Sequence, residues 1–443
     1  MSSNQHLEIV PSNITSNGRL SYKNGQPTIQ LLIGAQERMI VPGSIRLVGN
    51  FTVMKNDTVI PLESDKIRMN ERLGVYSIID TLSIFSQTSG QTIETINHHN
   101  RMMSSYLSVT QSQQDFACHA YEQALRFPNY KAQQLGVITN TQGASASGGT
   151  SPNSFCIPLV CGLFMGQDPI PLSGQTGVGG LSIEIQLSPD QNVLFSSDNT
   201  DTALADAYYE LSNVRLICEV QRPDPSLPTP GPVNTFTYNS ISSYYNTINS
   251  ANAVLNFNLG LKSVLSAFMN VVPASHINNF RRDGLATLEF TNKDGSNAQI
   301  EQLVFTRAGQ REPLEYNIDT LQKKSTGRSN ETADAQVVRN YMNAVMSFAK
   351  INRTSVQPSV YRNIDYSTDD TFSGAKIVPD GGVAWGVGVA YDSISDQGLD
   401  FSQTPFGVQL QLRLTTDNPN SIYLFVHSRQ TVVSQAGSIQ VLK

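Results

Sequence analysis

Two adjacent histidines, His98 and His99, are the first residues in this 443-residue chain whose type could bind a metal. Adjacent side chains point to opposite faces of a strand and lie about 100° apart on a helix, so neither element directs both rings to one ion. The six histidines also contain no His-x-His pattern, which the metal site of a cupin-type β-barrel would need. The sequence therefore predicts no metal ligands.

Acidic and glycine-rich stretches are the next candidates for chemistry. Asp365, Asp369 and Asp370 in "NIDYSTDD" could form a cation-binding loop, but they lack the spacing of an EF-hand, which favours a solvated turn. "GGVAWGVGVA" opens no helix, so we interpret its glycines as packing positions beside Trp385, the one tryptophan, rather than as a phosphate cradle. We predict no catalytic, cofactor-binding or metal-binding residues and no cofactor. A glycosidase carboxylate pair stays open because only geometry would reveal it.

The cysteines and the chain start predict a cellular setting. The four cysteines, Cys118, Cys156, Cys161 and Cys218, form no C-x-x-C pair, which favours reduced structural thiols in a cytoplasmic environment. The start, "MSSNQHLEIVPSNITSNG", lacks the features of a secretory signal. The net charge of −6 and the absence of a basic arm predict no direct sequence-specific binding of nucleic acid.

Two alternating segments about half a chain apart indicate a repeated element. "GGLSIEIQLSPD" and "FGVQLQLRLTTD" each have a glycine within their first two residues, alternate apolar and polar residues, and end with Asp190 or Asp417. Alternation with period two predicts a strand with one buried face. Each is followed by a polar turn and a further strand, which indicates two β-domains of similar plan.

A proline-rich stretch near the midpoint, "RPDPSLPTPGP", predicts an extended connector between these domains. The predicted organisation is an N-terminal arm (1–20), a first β-domain (21–221), a linker (222–232) and a second β-domain (233–443). We expect the hydrophilic arm to be ordered by a neighbouring chain, together with contact loops such as "TFTYNSISSYYNTI".

Three further segments carry local predictions. "IETINHHNRMMSSYLSVTQS" could be a helical excursion that packs its apolar residues, and "ETADAQVVRNYMNAVMSFAK" has the apolar spacing of an amphipathic helix. Ile138 to Ser154, rich in Gly, Ser and Thr, predicts an exposed or flexible loop.

The first half contains the segments that identify a family. "IPLVCGLFMGQDPIPLSGQTGVGGLSIEIQLSPD", followed by "YYELSNVRLICEV", resembles the first barrel of double jelly-roll major capsid proteins of icosahedral DNA viruses. "NGQPTIQLLIGAQERMIVPGSIRLVGNF" looks like the opening strand pair of that family, which includes proteins of virophages, polinton-like viruses, large eukaryotic DNA viruses and tailless phages. The resemblance implies an all-β fold of two tandem eight-stranded jelly-roll barrels with short helical insertions.

The same resemblance implies a structural role and no enzymatic activity. Three chains would form a pseudo-hexagonal homotrimeric capsomer, and capsomers would tile an icosahedral shell around a DNA genome. Implied partners are the chain itself, neighbouring capsomers, and penton and minor capsid proteins, and an inner membrane is left open. The implied location is the virion, after assembly in the host cytoplasm or a viral factory. The alternatives are a carbohydrate-binding adhesive β-sandwich and, third, a glycoside-processing enzyme.

Overall fold

A computed structural model provides the structure of the chain, and β-strands make up most of the residues that it describes. The residues that it describes are 4–14, 18–23, 25, 27–55, 58–59, 67–70, 73–110, 124, 153–196, 207–223, 233–282, 284–285, 300–312, 318–319, 363–365, 376–378, 387–391, 397–413, 419–435 and 437–443.

The described residues of the first half, up to residue 223, form fourteen strands and three short helical segments. The strands are β1 (Gln5–Ile9), β2 (Arg19–Leu20), β3 (Thr28–Ile33), β4 (Met39–Ile40), β5 (Arg46–Lys55), β6 (Thr58–Val59), β7 (Ile67–Arg68), β8 (Ile79–Ser86), β9 (Thr92–Asn97), β10 (Asn153–Pro158), β11 (Ile170–Pro171), β12 (Leu181–Leu187), β13 (Phe195–Ser196) and β14 (Ala207–Gln221). The helical segments are a 3-10 helix (Gly74–Ile78), α1 (His99–Thr110) and α2 (Asp190–Val193).

The second half, from residue 233, contains twelve described strands and one 3-10 helix (Ala274–His276). The strands are β15 (Val233–Ile248), β16 (Asn252–Phe257), β17 (Val264–Pro273), β18 (Ile300–Arg307), β19 (Gln310–Arg311), β20 (Ile318–Asp319), β21 (Asn363–Asp365), β22 (Lys376–Val378), β23 (Val387–Ala390), β24 (Phe406–Leu412), β25 (Asn420–Gln435) and β26 (Ser438–Leu442).

The two halves have the same strand order. In the first half one sheet contains β1-β14-β5-β10 and the other contains β3-β12-β8-β9. In the second half the corresponding sheets are β15-β25-β17-β23 and β16-β24-β18-β19. Each half therefore has eight principal strands in two antiparallel sheets, the arrangement of a jelly roll. The expected all-β fold with short helical insertions is confirmed over the described residues.

The two alternating segments form strands in corresponding places. β12 pairs with β3 and β8, and β24 pairs with β16 and β18. In β12 the apolar residues Leu181, Ile183, Ile185 and Leu187 are buried, whereas the side chains between them are partly or fully exposed. β24 buries Val408, Leu410 and Leu412 in the same manner. The repeated sequence pattern thus reflects one strand position used twice.

Several local expectations need correction. Thr92–Asn97 is strand β9 rather than helix, and the helix begins only at His99, although Ile93, Ile96 and Met103 are buried as expected. The stretch from Ile138 to Ser154 is not all loop, because β10 begins at Asn153 and pairs with β5. In both places the backbone pairs with a neighbouring strand, and this pairing outweighs the weak local preference of the sequence for helix or loop.

Two segments that were expected to contact a neighbouring chain pair with strands of their own chain instead. Gln5–Ile9 of the arm pairs with β14 of the same chain, with Leu7 opposite Cys218, so the expectation that a neighbour orders it is wrong for these residues. "TFTYNSISSYYNTI" is not a loop but most of strand β15, which pairs along its full length with β25. Residues 224–232 of the proline-rich connector, the segment from Glu331 to Lys350 and most of Ile138 to Ser154 lie outside the described residues.

Asp190, the last residue of the first alternating segment, is a buried carboxyl that makes the stability of the fold depend on pH. Its Oδ1 accepts a hydrogen bond from the Tyr209 backbone N–H at 3.0 Å, and burial raises the pKa of its carboxyl to about 6. Between the ordinary pKa near 3.8 and this value, the unfolded chain loses its proton before the folded one does. Stability contributed by this group therefore falls as pH rises through that window and is level above it.

We expect Asp190→Asn to remove this part of the pH dependence, because the amide oxygen can still accept the Tyr209 N–H but cannot ionise. The free energy of unfolding of the variant should fall less than that of the wild type between about pH 4 and pH 6.5, by about 2 kcal/mol. Urea unfolding at both pH values measures the difference. Equal pH dependence in the two proteins would contradict the assignment.

Candidate functional site: the buried seam between the two halves

The seam is the contact of β9, α1 and residues 159–165 of the first half with β15, β17 and β25 of the second. The apolar core of the first half extends across it and includes residues of the second half. These second-half residues are Tyr238, Ile241, Phe268, Val272, Leu285, Tyr423, Phe425, Val432 and Ile439. One hydrophobic cluster thus spans both halves, which fixes them to each other.

Strand β25 divides its side chains between the two halves. Ile422, Leu424 and Val426 pack in the core of the second half. Tyr423 and Phe425 point the other way, into the core that the first half contributes, and Phe425 contacts Phe268 with ring centroids 5.4 Å apart. Because both faces of this strand are covered, all residues from Asn420 to Ser428 are buried.

Glu94 on β9 is the central polar group of the seam, and it is 3% exposed. Its Oε1 accepts hydrogen bonds from the Ile241 backbone N–H at 2.7 Å and the Ser240 hydroxyl at 3.2 Å, both in the second half. In the first half, Oε1 accepts from the Gly162 N–H at 3.1 Å and Oε2 from the Leu163 N–H at 2.9 Å. A single carboxyl therefore joins three separate chain segments.

The electrostatics of Glu94 combine two opposing effects. Burial raises the pKa of its carboxyl, while the four donors around it lower that pKa. Burial also raises the pKa of the neighbouring Cys161 thiol and of the Tyr238 hydroxyl, and the nearby Glu94 adds to both shifts. The Tyr238 hydroxyl donates to the Ile93 carbonyl at 2.8 Å. These groups are hydrogen-bonded and enclosed, which fits a structural role in stabilising the contact between the two halves and not a reactive site.

Gly162 allows the backbones of the two halves to meet. A Cβ at this position would overlap the Asn239 carbonyl oxygen and would lie 2.7 Å from the Ser240 Cα. Any other residue would thus displace β15 from Glu94. The glycine is required by close approach and not by backbone conformation, because its φ is not positive.

Helix α1 supplies a second polar fastening. Arg101, 4% exposed, donates from its guanidinium to the Gly284 carbonyl and lies 4.5 Å from the ring centre of Tyr423. Asn270 on β17 donates from Nδ2 to the Arg101 carbonyl at 2.6 Å. The seam therefore has hydrogen bonds at both β9 and α1, and they fix the relative position of the halves more specifically than apolar contact alone.

The two histidines considered as metal ligands point to different surroundings. His98, with a φ of 55°, places Nδ1 3.6 Å from Asp80 Oδ1 and packs its ring against Tyr423 and Tyr245. His99 is buried, and its Nε2 bonds the Val160 carbonyl at 2.8 Å. Burial lowers the pKa of His99 to about 4, so it is neutral with its proton on Nε2. Among the described residues no group of three or more His, Cys, Asp or Glu is arranged around a possible ion.

The other candidate residues are distributed over the fold or lie outside the described part. Asp365 ends strand β21, whereas Asp369, Asp370, Trp385 and Cys118 fall outside the described residues. Cys156, Cys161 and Cys218 are free thiols, and the last two are buried. None of the helices in the described part of the chain is both long and apolar enough to cross a membrane.

Sequence reasoning did not find the seam residues. Glu94 stands among apolar and polar residues in "IETIN", and nothing in that pattern distinguishes it from a solvated strand residue. Gly162 in "LVCGLFM" offered the one available signal, a glycine inside a long apolar run, which is typical of a close backbone approach. The partners of both residues are about 70 to 150 positions away in the chain, which no local pattern encodes.

The chain was compared with protein-family models, with curated proteins and with solved structures. No protein-family model and no curated protein matches the chain. Solved structures match over nearly all of it. The Faustovirus major capsid protein aligns with a TM-score of 0.56 and 9% identity, covering 98% of this chain and 91% of that one.

Two further structures give similar values. The mavirus major capsid protein aligns with a TM-score of 0.52 and 13% identity over 99% of this chain and 90% of that one. The quasi-atomic model of the PBCV-1 virus capsid aligns with a TM-score of 0.55 and 9% identity over 100% of this chain and 97% of that one. The chain shares the fold of these capsid proteins, and the expected likeness to the double jelly-roll group is confirmed at the level of fold.

Proposed function

We propose that this chain is a major capsid protein that assembles into pseudo-hexagonal homotrimers, which tile an icosahedral shell around a DNA genome. The observation that carries the proposal is the pair of halves with one strand order, held in a fixed relation by the seam. A chain with two similar halves can fill a sixfold-shaped tile with only three copies. The fold shared with viral capsid proteins over nearly the whole chain supports the same function.

The proposal extends to the surroundings of the protein. The partners are other copies of the chain and, at the shell level, penton and minor capsid proteins. The location is the virion, with assembly in the host cytoplasm or a viral factory. With a net charge of −6, the chain would retain the genome by enclosure, without direct sequence-specific contacts to nucleic acid.

The first experiment is the mass of the purified protein in solution. We expect a stable homotrimer of about 145 kDa, three times the 48.4 kDa chain, by light scattering after size exclusion. Negative-stain images of the same fraction should contain particles with a six-sided outline. A protein that stays monomeric across micromolar concentrations in near-physiological salt would contradict the proposal and favour the adhesive alternative, which glycan binding would then test.

A further inference from the structure

One sheet edge of the second half is uncovered along strand β16. Within the described part of the chain, β16 pairs with β24 alone. The Leu412 N–H donates to the Ala251 carbonyl at 2.6 Å, and in an antiparallel pair every second residue directs its backbone groups to the partner strand. The N–H and C=O groups of Asn252, Val254 and Asn256 therefore point away from β24, and no described group bonds those of Val254 or Asn256.

The corresponding edge of the first half, along β3, is covered. Gln30 of β3 and Val254 of β16 occupy the same position, because each lies opposite the fourth residue of its neighbouring strand, β12 or β24. At Gln30 a short segment of the same chain closes the edge. The Ser12 N–H donates to the Gln30 carbonyl at 2.8 Å, and the Gln30 N–H donates to Asn13 Oδ1 at 3.0 Å. The chain itself thus shows that this type of edge accepts backbone and small polar groups.

The composition of the β16 edge leaves it open to pairing. Val254 is 68% exposed, the highest value of any large apolar side chain in the described residues. Asn252 and Asn256, on either side of it, are exposed, and the strand sequence "NAVLNF" contains no charged residue and no proline. Charged residues and prolines are the usual means by which proteins prevent a free edge from pairing with another chain. Their absence from β16 favours the addition of a further strand there.

We infer that a segment of a second protein of the virion, a minor capsid protein, adds to this edge as an extended strand. The inference rests on the proposed function. Backbone hydrogen bonds to Val254 and Asn256 hold the segment, and an apolar side chain beside Val254 sets its register, as in other cases of strand addition. Because β16 presents no counter-charge, the added segment is itself uncharged at the paired residues.

The size of the edge favours a slender segment over a folded surface. The outward residues Asn252, Val254 and Asn256 extend over only about 14 Å of strand. Two folded domains that met only here would bury much less than the roughly 1,200 Å² of a stable interface. An extended segment needs no wider surface, because its affinity comes from main-chain hydrogen bonds. A second copy of this chain, meeting β16 with a folded surface, therefore fits the edge less well.

Hydrogen exchange of the outward amides tests the inference. The N–H groups of Val254 and Asn256 should exchange rapidly in the purified trimer and at least roughly tenfold more slowly in virions, because a hydrogen bond to the added strand then protects them. The matched control is the Gln30 N–H, which is bonded to Asn13 and should exchange at the same rate in both samples. Mass spectrometry with fragmentation to single residues measures the rates.

Two substitutions of Val254 test the role of the backbone donor. Val254→Pro removes the outward N–H and leaves the hydrogen bonds to β24 in place, because that N–H does not face β24. The matched control, Val254→Thr, keeps the N–H and a β-branched side chain. Both variants should form trimers of the wild-type mass. In virions that carry Val254→Pro, the Asn256 N–H should exchange as fast as in the trimer, whereas Val254→Thr should retain the slow exchange.

The outcomes separate the inference from the proposed function. Equal exchange at Val254 and Asn256 in trimers and virions would overturn the inference and leave the capsid function standing. Slow exchange already in the purified trimer, or in particles assembled from this chain alone, would assign the edge to the chain itself or to a second copy and would also overturn it. A chain that forms no trimer and enters no virion would overturn both. If Val254→Pro does not fold, the comparison of trimers with virions still decides.

Discussion

Gly162→Ala is expected to destabilise the chain by about 3 kcal/mol, although it adds a single methyl group. The new Cβ would overlap the Asn239 carbonyl and press on the backbone of β15, so relief requires moving a main chain and not a side chain. Displacing β15 would also lengthen the hydrogen bonds of Glu94 to Ser240 and Ile241. Equilibrium unfolding in urea measures the loss.

Gly166→Ala is the matched control for this change. It lies in the same part of the chain, has no positive φ, and its added Cβ would have its nearest neighbour, the Leu163 carbonyl oxygen, at 3.4 Å. We expect a change within about 0.5 kcal/mol for this variant. Equal effects of the two substitutions would mean that Gly162 does not act through the contact with β15.

The second large effect is expected for Glu94→Ala, at about 3 to 5 kcal/mol. The substitution leaves the N–H groups of Gly162, Leu163 and Ile241 without their acceptor in a buried place. It also opens a cavity where the two halves meet. Thermal and urea unfolding should record the loss, and limited proteolysis should cut between the halves earlier than in the wild type.

Two further variants distinguish the effect of losing a carboxyl from the effect of its buried position at Glu94. Glu94→Gln should lose less than Glu94→Ala, because an amide oxygen can still accept some of the hydrogen bonds. Glu184→Ala removes a carboxyl from β12 that accepts one side-chain bond, from Gln30 at 3.3 Å, and we expect a change of about 0.5 kcal/mol or less. A loss at Glu184 as large as that at Glu94 would show that any acid on a strand matters equally.

The fold was predictable from the sequence because it depends on local periodicity. In strands β12 and β24, apolar and polar residues alternate, and this alternation predicts one buried face for each strand. The same pattern occurs twice, about 227 positions apart, which predicts two β-domains of similar plan. β25 could be located but not interpreted, since its residues from Asn420 to Ser428 are buried on both faces and give no alternation.

The seam was not predictable for a different reason. Glu94 and Gly162 are defined by the atoms that surround them, and those atoms belong to segments that are distant in sequence. Likewise, Gln5–Ile9 was expected to need a neighbouring chain because it is hydrophilic, but backbone pairing with β14 is available to any side chains. Composition describes what a segment can bury and does not describe which backbone lies beside it.

The core of the first half, which includes Phe268 and Tyr423, has a consequence for synthesis on the ribosome. The first half leaves the ribosome before these residues are made. Strand β9 and the surface that the second half later covers therefore stay exposed while β15 to β25 are translated. At elongation rates of about 5 to 20 residues per second, that interval is on the order of ten seconds or more. Productive synthesis therefore depends on protecting this nascent surface from other chains, and chaperone demand should be greatest before β25 is complete.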